Sequence, residues 1–139
     1  MTEYMKQTND LQIGIAGEHL VCADLIKKGY KAYLSDQGLA YDVIADIGGK
    51  LYKVQVKTTS KYRAVPQRKN YTPAYLFWVK RCGKGGKKQY DGTEFDFMAL
   101  VALDKNIIGY VKPDLVRGTM ILTEEKLRTL TFEKLWNQK

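Results

Sequence analysis

Gly48-Gly49 separates two strand-like runs, Tyr41 to Ile47 and Lys50 to Thr59. Two residues of this chemistry favour a tight antiparallel hairpin, because glycine enters the backbone region that such turns require without steric cost. A two-residue turn sets Ile47 against Lys50, and every further pair follows from that one. A slip by one position would turn each side chain to the wrong face. In the predicted register Val43, Ala45, Val54 and Val56 share the core face. The polar face gathers Asp42, Gln55 and Lys57, with Asp46 and Lys53 beyond them as ion-pair neighbours. Asp42 falls opposite Gln55, with Cβ atoms about 5 Å apart, and Lys57 lies two residues along the same face.

The rest of the chain reads as follows. Asn9 or Asp10 caps a helix over about residues 10–28, with Leu11, Ile15, Val21, Leu25 and Ile26 as its apolar positions and Gly29 as its stop. Gly14 and Gly17 weaken a helix, so both predict close packing against a sheet. Lys31 to Leu34 is a short strand, followed by a loop to Ala40. Tyr62 to Tyr71 is basic, aromatic and irregular, with Pro66 and Pro73 as breaks. Tyr75 to Lys80 is a strand, with Phe77 and Trp78 expected in the core. Arg81 to Gly92 reads as a loop, Phe95 to Leu103 and Ile107 to Val111 as strands around a turn at 104–106. Short helices are predicted near Thr123–Thr129 and Thr131–Asn137, with Trp136 packing the last of them. One helix, then strands, then helices describes an α+β domain with a central mixed sheet, and 139 residues suit a single domain over residues 1–139.

Charge is distributed unevenly. Residues 50–90 hold twelve Lys or Arg and no Asp or Glu, so this stretch carries +12 and the remainder −4. One-signed crowding of that kind points to a polyanionic partner such as nucleic acid. The basic-aromatic run Lys61, Tyr62, Arg63, Arg68, Lys69 and Tyr71 follows directly on Lys57. Its cations suit phosphates and its polar side chains suit base edges. Lys84, Lys87 and Lys88 lie in a glycine-rich stretch that lacks the spacing of a nucleotide-binding loop; they read as a flexible basic loop for backbone phosphates. His19 has no Cys or second His beside it, which argues against zinc, and Ser35 and Ser60 lack a His partner. Two separated cysteines, Cys22 and Cys82, no long apolar run and no signal core predict a soluble cytoplasmic protein without a membrane span.

The cluster Asp42, Gln55 and Lys57 suits phosphodiester hydrolysis. A hard divalent cation takes oxygen ligands, here Asp42, Gln55 and, from the first helix, Glu18. Such a cation polarises the phosphate and acidifies a bound water, while Lys57 orients that water or stabilises developing charge.

These residues also carry a resemblance. Glu18 on the first helix, Asp42, the pair Gln55-x-Lys57 and the later strand from Asp96 to Leu103 follow the order of the PD-(D/E)xK nuclease superfamily, and about residues 11–112 are similar to it. The likeness is closest to bacterial group I intron homing endonucleases of this fold and weaker to Holliday-junction resolvases. Two positions depart from the pattern: Tyr41 stands for the usual Pro and Gln55 for the usual second acid, although a Gln there occurs in the homing branch. The resemblance implies a restriction-endonuclease-like core of four strands flanked by helices. It also implies a site-specific, Mg²⁺-dependent endonuclease for double-stranded DNA, with Mn²⁺ as a substitute. Alternatives are a non-catalytic nucleic-acid-binding module on the same fold and a junction-resolving nuclease. One cluster per chain cuts one strand at a time, so a homo-oligomer, dimer or tetramer, is expected. Leu127, Leu130, Phe132, Leu135 and Trp136 offer either its interface or cover for the protomer's own core.

Overall fold

The capping residue predicted for the first helix is seen in a computed structural model, which describes residues 9–36, 39, 41–63, 72–79, 81–83, 86–88, 94–115 and 118–137. Asn9 accepts from the Gln12 N–H while the Gln12 side chain accepts from the Asn9 N–H, a capping box that starts helix α1 at Asp10–Lys27. The buried stripe of α1 is narrower than its apolar composition suggests. Gly17, Val21 and Leu25, four residues apart, face the sheet, whereas Leu11 and Ile26 are more than half exposed.

Strands β1 (Lys31–Leu34), β2 (Val43–Ile47), β3 (Lys50–Thr59), β7 (Phe97–Ala102) and β8 (Ile107–Val111) form one sheet in the order β1-β2-β3-β7-β8. The sheet is mixed: β3 runs parallel to β7 and every other pair is antiparallel. It has five strands rather than four, because β1 joins the β2 edge. Gly48 and Gly49 take φ values of +63° and +84°, the left-handed pair that a two-residue hairpin requires. The resulting register sets Val43 against Val54 and Ile47 against Lys50, as predicted.

Two apolar layers enclose the β7 side of this sheet. On one face Val21 and Leu25 of α1 pack with Val43, Ala45, Val54, Val56, Ala99 and Val101. The same layer is closed by Phe132 and Leu135 of the C-terminal helix α3 (Phe132–Trp136). On the other face Met98, Leu100 and Ala102 pack with Tyr75, Phe77 and Leu127. These last come from β4 (Ala74–Trp78) and helix α2 (Glu124–Thr129). The C-terminal residues Leu127, Phe132 and Leu135 therefore serve this chain's own core. Trp136 stacks on Phe132 and meets Tyr52 edge-on.

Four expectations need correction. Thr119–Thr123, to which local sequence assigns no element, is strand β9 and pairs antiparallel with β4 in a separate two-stranded sheet. The stretch after Lys80 reads as loop, yet Arg81–Gly83 (β5) and Gly86–Lys88 (β6) pair as a short ribbon. Trp78 is 44% exposed, because alternate residues of β4 face opposite ways and Tyr75 and Phe77 take the inward positions. Gly14 meets nothing within 4 Å where a Cβ would stand, so only Gly17 of the two glycines marks a close approach.

Candidate active site

Asp42 occupies the last position before β2, and its backbone is held on both sides. Its N–H donates to the Val54 carbonyl at 2.9 Å, and its carbonyl accepts from the Ser35 N–H at 2.9 Å. The Ser35 hydroxyl also donates to the Tyr41 carbonyl at 2.6 Å. The residue therefore continues the ladder from β1 to β3 and inherits the register of the Gly48-Gly49 turn. Asp42 Oδ2 accepts from Gln55 Nε2 at 2.8 Å and from the Val56 N–H at 2.9 Å. The second bond falls at the edge where β2 has not yet begun, so a carboxylate oxygen takes the part of a strand carbonyl.

The electrostatics are divided. Burial raises the Asp42 carboxyl above its ordinary value, while the Val56 N–H and the Lys57 ammonium pull it back down. Glu18 projects from α1, which packs on the opposite face of the sheet. Its carboxyl is pushed up to about 7, first by burial and then by the negative charge of Asp42. The Asp42 charge thus disfavours ionisation of Glu18, while Asp42 itself is bonded to the amide of Gln55, which is only 7% exposed.

The approach of α1 depends on Gly17. A Cβ there would overlap Thr58 Oγ1 and come within 2.9 Å of Thr58 Cβ. The helix backbone thus rests on the side chain next to Lys57, which brings Glu18 to the site. Farther along α1, Asp24 accepts from the Tyr110 hydroxyl of β8 at 2.6 Å and from Lys28 at 3.3 Å. These contacts fix the helix rotation as well as its distance.

A hard cation is compatible with this donor set: two carboxylates that need a positive charge between them and one amide oxygen. Asp42 Oδ1 accepts no hydrogen bond among the described residues, since both bonds fall on Oδ2. The Gln55 nitrogen faces Asp42, which leaves its oxygen as the one neutral donor of the set. Among the described residues no group of three or more His, Cys, Asp or Glu side chains forms a metal cluster, so a cation here would keep most of its ligands as water, as Mg²⁺ commonly does.

Of the residues assigned to DNA, Lys61 and Arg63 are exposed just past β3. The Arg63 N–H donates to the Ala74 carbonyl at 2.8 Å, so the two ends of the intervening stretch meet at β4. Tyr62 is committed to the fold. It stacks on Tyr75, its hydroxyl donates to Glu124 at 3.1 Å, and Lys105 donates to that hydroxyl at 2.9 Å. The residues that hold it come from β4, the β7–β8 turn and α2, so no local pattern around Tyr62 reveals them. Lys87 and Lys88 belong to β6. Arg68, Lys69, Tyr71 and Lys84 lie outside the described residues. Asp46, expected beside Lys53 as an ion pair, instead accepts from the Gly49 N–H at 3.2 Å and braces the turn. Lys53 lies over the Tyr41 ring at 5.4 Å. His19 is exposed, as expected.

Comparison with known proteins bears on the family and the fold. Residues 8–128 match the model of a family described as PD-(D/E)XK endonuclease. The fold is similar to the solved structure of the bacterial homing endonuclease I-Ssp6803I, with a TM-score of 0.67 at 19% identity over 84% of this chain and 80% of that one. No curated protein matches the chain. Among the described residues no helix is long and apolar enough to cross a membrane.

Proposed function

The chain belongs to the PD-(D/E)XK endonuclease family, and on that premise we propose that it is a divalent-cation-dependent, site-specific endonuclease for double-stranded DNA. The observation that carries the proposal is the polar cluster at the start of β2, where Asp42, Gln55 and Lys57 share one sheet face and Glu18 arrives from the helix behind. Asp42, Gln55 and Glu18 would hold the cation, Mg²⁺ or Mn²⁺ in its place. When bound, it polarises the scissile phosphate and makes water a usable nucleophile near neutral pH.

The chain's own groups do the rest. The Val56 N–H and the Gln55 amide hold the Asp42 carboxylate in one orientation. Lys57, close enough to lower the Asp42 carboxyl, keeps a positive charge beside the phosphate position and offsets the negative charge that grows on it. Lys61 and Arg63, with Arg68, Lys69, Tyr71, Lys84, Lys87 and Lys88, supply backbone and groove contacts. One such cluster per chain cuts one strand, so a homo-oligomer of this one-domain chain makes the double-strand break. The solved structure to which the fold is similar is that of a homing endonuclease, and the site-specific part of the reading rests on that likeness.

The test is incubation of supercoiled plasmid and of long linear DNA with Mg²⁺ or with EDTA, with Asp42→Ala as control. Cutting that needs both the cation and Asp42 supports the proposal. Binding without cutting favours a module that has lost chemistry, a reading to which the replacement of the second acid by Gln55 lends weight. Light scattering on the same sample checks the oligomer against the 15.9 kDa of one chain.

A further inference from the structure

The face of the sheet opposite α1 is covered only in part. Tyr75, Phe77 and Leu127 pack over its β7 side, but toward β1 this cover does not continue among the described residues. There the register lays out two rows across three strands. Lys31, Asp46 and Leu51 form one, and Tyr33, Ile44 and Lys53 the other. The next row along the same strands contains Asp42 and Gln55. The area is open: Tyr33 is 52% and Leu51 62% exposed, and Lys31 and Lys53 are exposed as well.

Its formal charge is balanced, Lys31 and Lys53 against two acids, and the lysines pair with neither among the described residues. The nearby acids are Asp46 and Asp96, and both are engaged by backbone. Asp46 accepts from the Gly49 N–H at 3.2 Å, and Asp96 accepts from the Lys53 N–H at 2.7 Å. Neither Lys31 nor Lys53 forms an ion pair among the described residues. Lys31 lies directly across from Asp46 without closing a salt bridge.

We propose that the open β1–β2–β3 face is a DNA-docking surface, on which Lys31 and Lys53 contact backbone phosphates and Tyr33 contacts the groove wall, carrying the duplex onward from the Asp42–Gln55 site. The inference rests on the nuclease reading and extends it to residues outside the basic stretch. Duplex DNA is the occupant because the surface is continuous with the cluster that would cut it, and because exposed cations alternate with an aromatic ring and aliphatic groups. Exposed strands serve as DNA readers elsewhere by lying in a groove. Residues four apart on a strand span about 13 Å, so Lys57 and Lys53 lie along one line on β3 with Gln55 between them.

The experiment is fluorescence anisotropy of a labelled mixed-sequence duplex in EDTA, titrated at several salt concentrations. Wild type is compared with the double variant Lys31→Ala/Lys53→Ala, the double variant Lys31→Arg/Lys53→Arg, and Tyr33→Ala. Loss of two phosphate contacts should lower the magnitude of the log–log salt slope by about 1.8. The arginine pair should keep the wild-type slope. Tyr33→Ala should weaken binding at an unchanged slope, because an uncharged contact releases no counterion. Thermal melting and light scattering of each variant should match wild type. Wild-type binding with an unchanged slope in the alanine pair overturns the docking surface and leaves the nuclease reading intact. A shift of the alanine pair to a smaller particle also overturns it, in favour of a second copy of the chain on this face. A wild type that binds no duplex at any salt overturns both.

Discussion

Gln55 Nε2 donates to Asp42 Oδ2 at 2.8 Å across the β2–β3 hairpin, on the same oxygen that accepts the Val56 N–H at 2.9 Å. An amide in place of the usual second acid therefore does more than dilute charge. It gives the half-buried Asp42 carboxylate a donor, where an ionised Glu would give it a like charge at the same distance.

Asp42→Ala and Lys57→Ala should each abolish cleavage, a loss of several kcal/mol in the transition state. DNA affinity should stay within about tenfold, because the backbone contacts lie elsewhere. Asp42→Ala also strands the Val56 N–H, which should lower stability by about 1–3 kcal/mol. Single-turnover cleavage, anisotropy and urea unfolding separate the three effects. Full cutting by either variant would remove that residue from the site.

Gln55→Glu should tighten cation binding and destabilise the cation-free protein. It adds a third carboxyl to a pair in which the Asp42 charge already disfavours ionisation of Glu18, and a bound cation relieves that repulsion. Thermal melting with and without Mg²⁺ measures both. The gain in melting temperature on adding Mg²⁺ should be larger than in wild type, and an equal gain would place the cation away from residue 55.

Glu18 makes the protein pH-sensitive in a stated direction. Its carboxyl lies at about 7 in the folded chain against an ordinary value of 4.5. Between these values the unfolded chain releases the proton first, so the stability of the cation-free protein falls as pH rises through this window and levels off above it. Cation binding runs the other way. Ionised Glu18 is the ligand form, so apparent affinity should rise with pH up to about 7, by at most about tenfold per unit for one displaced proton. Calorimetric titration of Mg²⁺ across this range is the measurement. Glu18→Gln should flatten both profiles, and a Glu18→Gln profile identical to wild type would reject the assignment.

Gly17→Ala should cost activity as well as stability. Alanine improves helix propensity by about 1 kcal/mol, but its methyl group would collide with Thr58, and overpacking typically costs about 1–3 kcal/mol. If α1 is displaced outward, Glu18 leaves Asp42, and cleavage should fall more than DNA binding does. The double change Gly17→Ala/Thr58→Ala makes room for the methyl group and should restore part of the activity. Gly14→Ala, at a position with nothing within 4 Å, is the matched control and should be neutral or stabilising.

Local sequence determined the hairpin and what it places together. Two glycines fix the turn, a two-residue turn fixes the register, and the two-residue period of a strand then puts Asp42, Gln55 and Lys57 on one face. The cap of α1 was legible for the same reason, as Asn9 or Asp10, and the structure selects Asn9 and adds its reciprocal bond with Gln12 three residues on. Thr119–Thr123 does not read as a strand by itself, because what makes it one is its pairing with β4, about forty-five residues earlier, and only the fold supplies that partner. Tertiary structure decided the rest. Glu18 meets Asp42 because Gly17 lets a helix backbone lie on Thr58, a contact between segments about forty residues apart. The Val56 N–H that orients Asp42 is a backbone group and leaves no mark in the sequence. Tyr62 reads as a candidate DNA contact until Tyr75, Lys105 and Glu124 converge on it from three other elements. Bonds between near neighbours follow from chain geometry, whereas contacts between distant segments depend on how whole layers pack, and periodicity within one segment carries no record of that.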